Sequence, residues 1–109
     1  MYRNHTIKVT GKKQTDGAVV MGNKGHEHLS RHQIQIEVSA QPAAGTLKIE
    51  YLTPGATEYV EATGSPVNLT VLNKAACYRL DSLFAQAFRV TPTDLDADKT
   101  YSVIVESNE

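Results

Sequence analysis

The chain has 109 residues, a formal net charge of −1 and a single cysteine. That length suits one domain with one core, and the near-neutral charge offers no electrostatic footprint for nucleic acid or a membrane surface. Lone Cys77 cannot close an internal disulfide and reads as a buried, inert thiol, so the fold needs no oxidising compartment.

Alternation of apolar and polar residues dominates the chain, and each such run predicts a half-buried strand. Residues Met1 to His5 lack the apolar run of a secretory signal, which implies a chain made in a cytoplasm. Weak alternation marks Thr6–Thr10 and Ala18–Met21. The stretch from Thr10 to Ser30, rich in Gly, Lys and His, is the least structured by composition, so residues 1–30 are expected to form a less regular arm and loop. His32–Val38 sets Ile34, Ile36 and Val38 on one face, and Leu47, Ile49 and Tyr51 alternate with Lys48 and Glu50. Glu58–Glu61 is a weaker run, and Val67, Leu69 and Val71 alternate with Asn68 and Thr70. From Leu72 to Phe88 the pattern also suits an amphipathic helix. Two strands split at Asp81-Ser82 are the preferred reading, with Phe84, Phe88 and Val90 on one face. Tyr101, Val103 and Val105 form the last strand.

Turn residues fall between these runs, at Gln41–Gly45, Thr53-Pro54-Gly55, Gly64-Ser65-Pro66 and Thr91-Pro92 to Asp98. About eight antiparallel strands in two packed sheets follow, an all-β sandwich. A jelly-roll-like order is the first choice and an immunoglobulin-like order the second.

Candidate chemistry is sparse. His26 and His28, two apart, would share a face of a strand and could bind zinc, with His32 or Glu27 completing the set. The spacing is no recognised zinc signature, and a polar, exposed loop leading into the strand at Ile34 is the preferred reading. Asp94, Asp96 and Asp98 alternate like calcium ligands but lack the Gly and Glu of an EF-hand, which leaves an acidic turn. Asn68-Leu69-Thr70 fits a glycosylation acceptor but falls inside an expected strand. Glu50, Glu58 and Glu61 could tempt a two-carboxylate glycosidase reading, although on alternating strands they form the solvent face. No phosphate loop, nucleophile elbow or HExxH motif is present, so neither enzymatic activity nor a cofactor is expected.

The stretch Gly45-Thr46-Leu47-Lys48-Ile49-Glu50-Tyr51, the turn Pro54-Gly55-Ala56 and the segment Glu58-Tyr59-Val60 resemble small structural proteins of tailed-phage virions. Phe88-Arg89-Val90-Thr91-Pro92-Thr93, Leu95 and Tyr101-Ser102-Val103 belong to the same pattern, which covers roughly residues 34–106. The resemblance is greatest to capsid decoration (cement) proteins, and it implies a jelly roll that clamps major capsid subunits from outside the head. Pairing or trimerisation of copies on the shell would strengthen attachment. The expected contacts lie in the N-terminal 30 residues, with Tyr2, Arg3, His5, Lys12 and Lys13 as candidates. The competing reading is a carbohydrate- or receptor-binding module of a tail fibre or spike, for which Tyr51, Tyr59, Tyr78 and Tyr101 would supply stacking surfaces.

Overall fold

The structure is a computed structural model that describes residues 4–71 and 75–109, with residues 75–78 described by their backbone alone. Cys77, Tyr78, Tyr2 and Arg3 therefore lie outside what is described of side chains. Among the described residues nine strands form: β1 Asn4–Lys12, β2 Val19–Gly22, β3 Arg31–Val38, β4 Thr46–Leu52, β5 Val60–Glu61, β6 Val67–Asn68, β7 Ala75–Leu80, β8 Ala87–Thr93 and β9 Tyr101–Asn108. One sheet runs β1-β9-β3-β7 and the other β2-β8-β4-β5, with β6 also on β4, and every pairing is antiparallel.

The pairs nest: the first strand lies on the last, the second on the eighth, the third on the seventh, the fourth on the fifth and sixth. A long hairpin folded over on itself produces this order, which is the jelly roll rather than the immunoglobulin arrangement.

Alternation decides which side chains enter the core. On β3, His32, Ile34, Ile36 and Val38 are buried, and on β9 Tyr101, Val103, Val105 and Ser107 are. Cross-strand register then lines these up in rows, with Val105 between Ile7 and Ile34, and Val103 between Val9 and Ile36. Leu47, Ile49, Phe88, Val90 and Met21 meet them from the second sheet.

Three expectations need correction. The N-terminal segment is more regular than its composition indicates, because β1 runs along β9 as an edge strand, with Asn4 to Val9 and Lys12 in register. The run Val67–Val71 is not one strand: pairing stops after Asn68, and Leu69–Val71 is a 3₁₀ turn. The Asn68 Oδ1 accepts from the Thr70 N–H at 3.0 Å and from its hydroxyl at 2.8 Å, a local bond that competes with the ladder. Leu69 can then turn inward to full burial. Third, Phe84 does not share a face with Phe88; it sits in the β7–β8 connection and is 52% exposed. The split at Asp81-Ser82 itself is where the chain leaves β7.

Gly45 precedes β4 at φ +127, and a Cβ there would lie 2.9 Å from the Leu95 Cα. Neither the backbone angle nor the space tolerates a side chain. Gly45→Ala should therefore cost about 2–3 kcal/mol, from strained backbone plus displacement of the Leu95 segment. Urea denaturation would read this as a lower midpoint at an unchanged slope, and an unaltered midpoint would refute the close approach.

Candidate functional site

One end of the sandwich carries an inward-facing polar row and three loops. Here β1 and β3 begin and β9 ends, joined by the loops Asn23–Ser30, Thr53–Tyr59 and Asp81–Gln86. The inward row at this end is His5, Ser107, His32 and Leu80, paired strand to strand. The apolar rows behind it thus finish in a polar one.

His32 and Ser107 are 1% and 0% exposed. The His32 Nε2 lies 2.7 Å from the Leu83 carbonyl, and a carbonyl can only accept, so the proton of the neutral ring sits on Nε2. Nδ1 is then an acceptor, and the Ser107 hydroxyl donates to it at 2.7 Å. A serine hydroxyl on an imidazole is half of a nucleophilic pair. Burial seals this hydroxyl away from any substrate, and its chemistry here is to satisfy two strand residues. The Phe88 ring meets His32 edge-on at 5.1 Å. Burial holds the His32 pKa below the usual 6.5, against opposing pulls from the Leu83 carbonyl and the Asp81 charge.

The histidines expected to cluster do not converge. His32 turns into the core, His28 is exposed, and His26 stacks on His5 with ring centroids 3.6 Å apart. Burial, then the neighbouring His26, lowers the His5 pKa. Among the described residues no three His, Cys, Asp or Glu side chains gather to hold a metal ion. The other candidates are also spread out. His5 and Lys12 stand at opposite ends of β1, seven residues or about 24 Å apart, and Lys13 follows Lys12.

Asp96 is occupied internally: its carboxylate accepts from the Ala43 and Ala44 N–H groups at 2.8 and 3.1 Å, bracing the loop before β4. Asp98 pairs with Lys99 at 3.0 Å. Glu50 is buried rather than solvent-facing, a correction with a clear cause. The Arg89 Nε donates to its Oε1 at 2.9 Å, and the same guanidinium lies 4.0 Å over the Tyr59 ring. That hydrogen bond holds the Glu50 pKa below the ordinary carboxylate range. Glu61 accepts from the Ser65 hydroxyl at 2.9 Å. Among the described side chains the tyrosines form no shared platform: Tyr101 is in the core, its pKa pushed up to about 12 by burial, Tyr51 packs against the core, and Tyr59 stacks on Arg89.

What the structure does assemble is a pair of clefts meeting at Arg79 and Asp81. One, of about 230 Å³, is lined by Arg31, Gln33, Asn108 and the shared pair; the other, of about 240 Å³, by Tyr51, Thr63, Ser82, Leu83 and the shared pair. Arg31 is anchored by donating to the Glu109 carbonyl through Nε and Nη2. The Arg79 side chain makes no hydrogen bond or ion pair among the described residues. These residues carry no motif, and only the pairing of Gln33 with Arg79 aligns them. Ser107 was legible in part, because it continues the parity of Tyr101, Val103 and Val105.

No protein-family model and no curated protein sequence matches the chain. Solved structures do share its fold. A proposed α-L-fucosidase of Bacteroides thetaiotaomicron superposes with a TM-score of 0.67 at 13% identity, over 94% of this chain. The chain spans only 22% of that protein. The SPBc2 prophage-derived protein YomS superposes with a TM-score of 0.59 at 11% identity, over 98% of this chain and 97% of its own. A chain from the acid-stable capsid of the Helicobacter pylori bacteriophage KHP30 gives 0.52 at 8%, over 97% of this chain and 88% of its own. The fold is thus shared over most of the length of the two phage-derived chains and with one part of a larger protein. At these identities the likeness is one of fold. Among the described residues no helix is long and apolar enough to cross a membrane.

Proposed function

We propose that this chain is a structural protein of a phage virion: a decoration protein that sits on the outside of an assembled head and ties together major capsid subunits. It works by binding, without catalysis or cofactor. The observation that carries this reading is the length of the match to the phage capsid chain. Because 97% of one covers 88% of the other, that chain is of similar length, the size expected of an added staple. The pattern of strands and turns over residues 34–106 supports the same reading, and so does the whole-length match to YomS.

The physics suits a staple. Near-neutral charge avoids competition with the packaged genome. Among the described residues no strand pairs with the nine-residue edge strand β1 on the side away from β9, along which a partner strand could add. His5 and Lys12 mark the two ends of that edge, so a contact using both must run along it. Contacts of modest area then suffice, since several attachment points raise effective affinity.

Quantitative mass spectrometry of purified virions of the encoding phage tests the reading. About one copy per major capsid subunit is expected. A few copies per particle would favour the tail-fibre or spike reading, and absence from the virion would overturn both.

A further inference from the structure

We infer that two copies of the chain associate through the loop end of the sandwich, each lodging Phe84 in the other's cleft beside Arg79. The starting point is a loop held rigid around an exposed aromatic ring. The Leu83 N–H donates to the Ser30 carbonyl at 3.1 Å, and the Leu83 carbonyl accepts from His32. The Ala85 carbonyl accepts from the Asn23 Nδ2 at 2.9 Å. The Gln86 N–H donates to the Leu52 carbonyl at 2.8 Å, and its own carbonyl accepts from the Asn23 N–H at 2.9 Å. Five hydrogen bonds thus fix the residues on both sides of Phe84, Ala85 is fully buried, and Phe84 alone stands 52% exposed. A single exposed apolar residue is ordinary. An aromatic on a pre-organised backbone is different, because it loses little conformational entropy on binding.

The second observation is the receptor beside the knob. Leu83, the residue before Phe84, lines the 240 Å³ cleft together with Tyr51, Thr63 and Arg79. A cavity of about 150 Å³ already accommodates a benzene ring, so an aromatic side chain fits. Within it the Arg79 guanidinium has no partner among the described residues, and a guanidinium packs well on an aromatic face. Val60, paired opposite Tyr51 and 48% exposed, extends the apolar surface.

Knob and cleft lie on one molecule and share one loop. That is the arrangement a two-fold axis requires, since the same patch must serve as donor and receptor. A partner protein would need a complementary pocket of its own; a second copy already has one.

The size of the end face sets the strength. Nine-residue β1 is about 30 Å long, more than the 25 and 21 Å short extents, so strands run along the 41 Å axis. The end face then offers roughly 500 Å² per copy against ~800 Å² in a standard interface. A weak, concentration-dependent dimer follows.

Sedimentation equilibrium of the purified chain, from micromolar to submillimolar concentration, tests this without any capsid present. The expected result is a monomer–dimer equilibrium, with Phe84→Ser and Arg79→Ala each raising the dissociation constant at least about tenfold. Phe84→Tyr should keep the dimer, and unchanged melting temperatures would exclude unfolding as the cause. A wild-type chain that stays monomeric overturns the proposal, as does a dimer indifferent to Phe84→Ser. A monomer whose attachment to phage heads is lost with Phe84→Ser would assign the ring to a shell protein instead. Failure of virion incorporation alone would count against the decoration reading and leave the dimer intact.

Discussion

Replacing His32 by phenylalanine is expected to destabilise the domain by about 3 kcal/mol, although the new residue is larger in apolar area and fills the same space. The change leaves the Ser107 hydroxyl and the Leu83 carbonyl buried without the partner each now has at 2.7 Å. A buried polar group so orphaned costs about 1–3 kcal/mol. For a domain of this length the melting temperature should fall by about 12 °C. Adding Ser107→Ala removes one orphan and should recover roughly a third to a half of the loss, a coupling that a double-mutant cycle measures. If His32→Phe melts at the wild-type temperature, the hydrogen-bonded pair contributes nothing.

The same residue should make stability depend on pH. Burial places the folded-state pKa of His32 below the unfolded value of 6.5, so the unfolded chain binds the proton more readily. The contribution is complete above pH 6.5 and is lost as pH falls from there towards the folded-state value. His5, also lowered by burial, acts in the same direction and over the same side of 6.5. The lowered carboxyls of Glu50 and Asp98 add losses only below about their ordinary range near pH 4. Urea midpoints measured between pH 7.5 and 5.5 should fall in the wild type and fall less in His32→Phe, where His5 remains.

The second large effect is at Phe88. This residue is fully buried near the start of β8, with Met21 opposite on one side and Tyr51 on the other. Phe88→Ala should cost about 3–5 kcal/mol from lost transfer energy and the cavity left behind. That is a large share of the ~5–15 kcal/mol that holds a typical domain together. Phe84→Ala, four residues earlier, removes the same atoms from a half-exposed site and should cost well under 1 kcal/mol in the monomer. Guanidinium denaturation of the two variants side by side decides whether burial, not residue type, governs the cost. Equal losses would contradict the placement of Phe84.

The contrast between these two phenylalanines shows where sequence reasoning stops. Alternation alone determined that the chain is an all-β sandwich, and it selected Ile34, Ile36, Val38, Leu47, Ile49, Val103 and Val105 as core, because a strand's side chains alternate strictly between two faces. Turn chemistry was equally local: Gly55 takes φ +81 in a turn closed by the Ala56 N–H on the Thr53 carbonyl at 3.0 Å. Local pattern could not say that Val67–Val71 breaks after two residues, since Asn68 competes with a ladder whose position the rest of the sheet sets. Nor could it part His26 from His32, which are six residues apart yet end in a surface stack and in the core. Their fates depend on which residues of β1 and β9 lie alongside, His5 for one and Ser107 for the other. The clefts around Arg79 were illegible for the same reason. They exist because antiparallel register sets Gln33 beside Arg79 and because the β7–β8 loop folds back onto Ser30 and Leu52. Sequence determines the period of a strand by itself; which strands meet, and at what register, is settled only when all the rows close over one core.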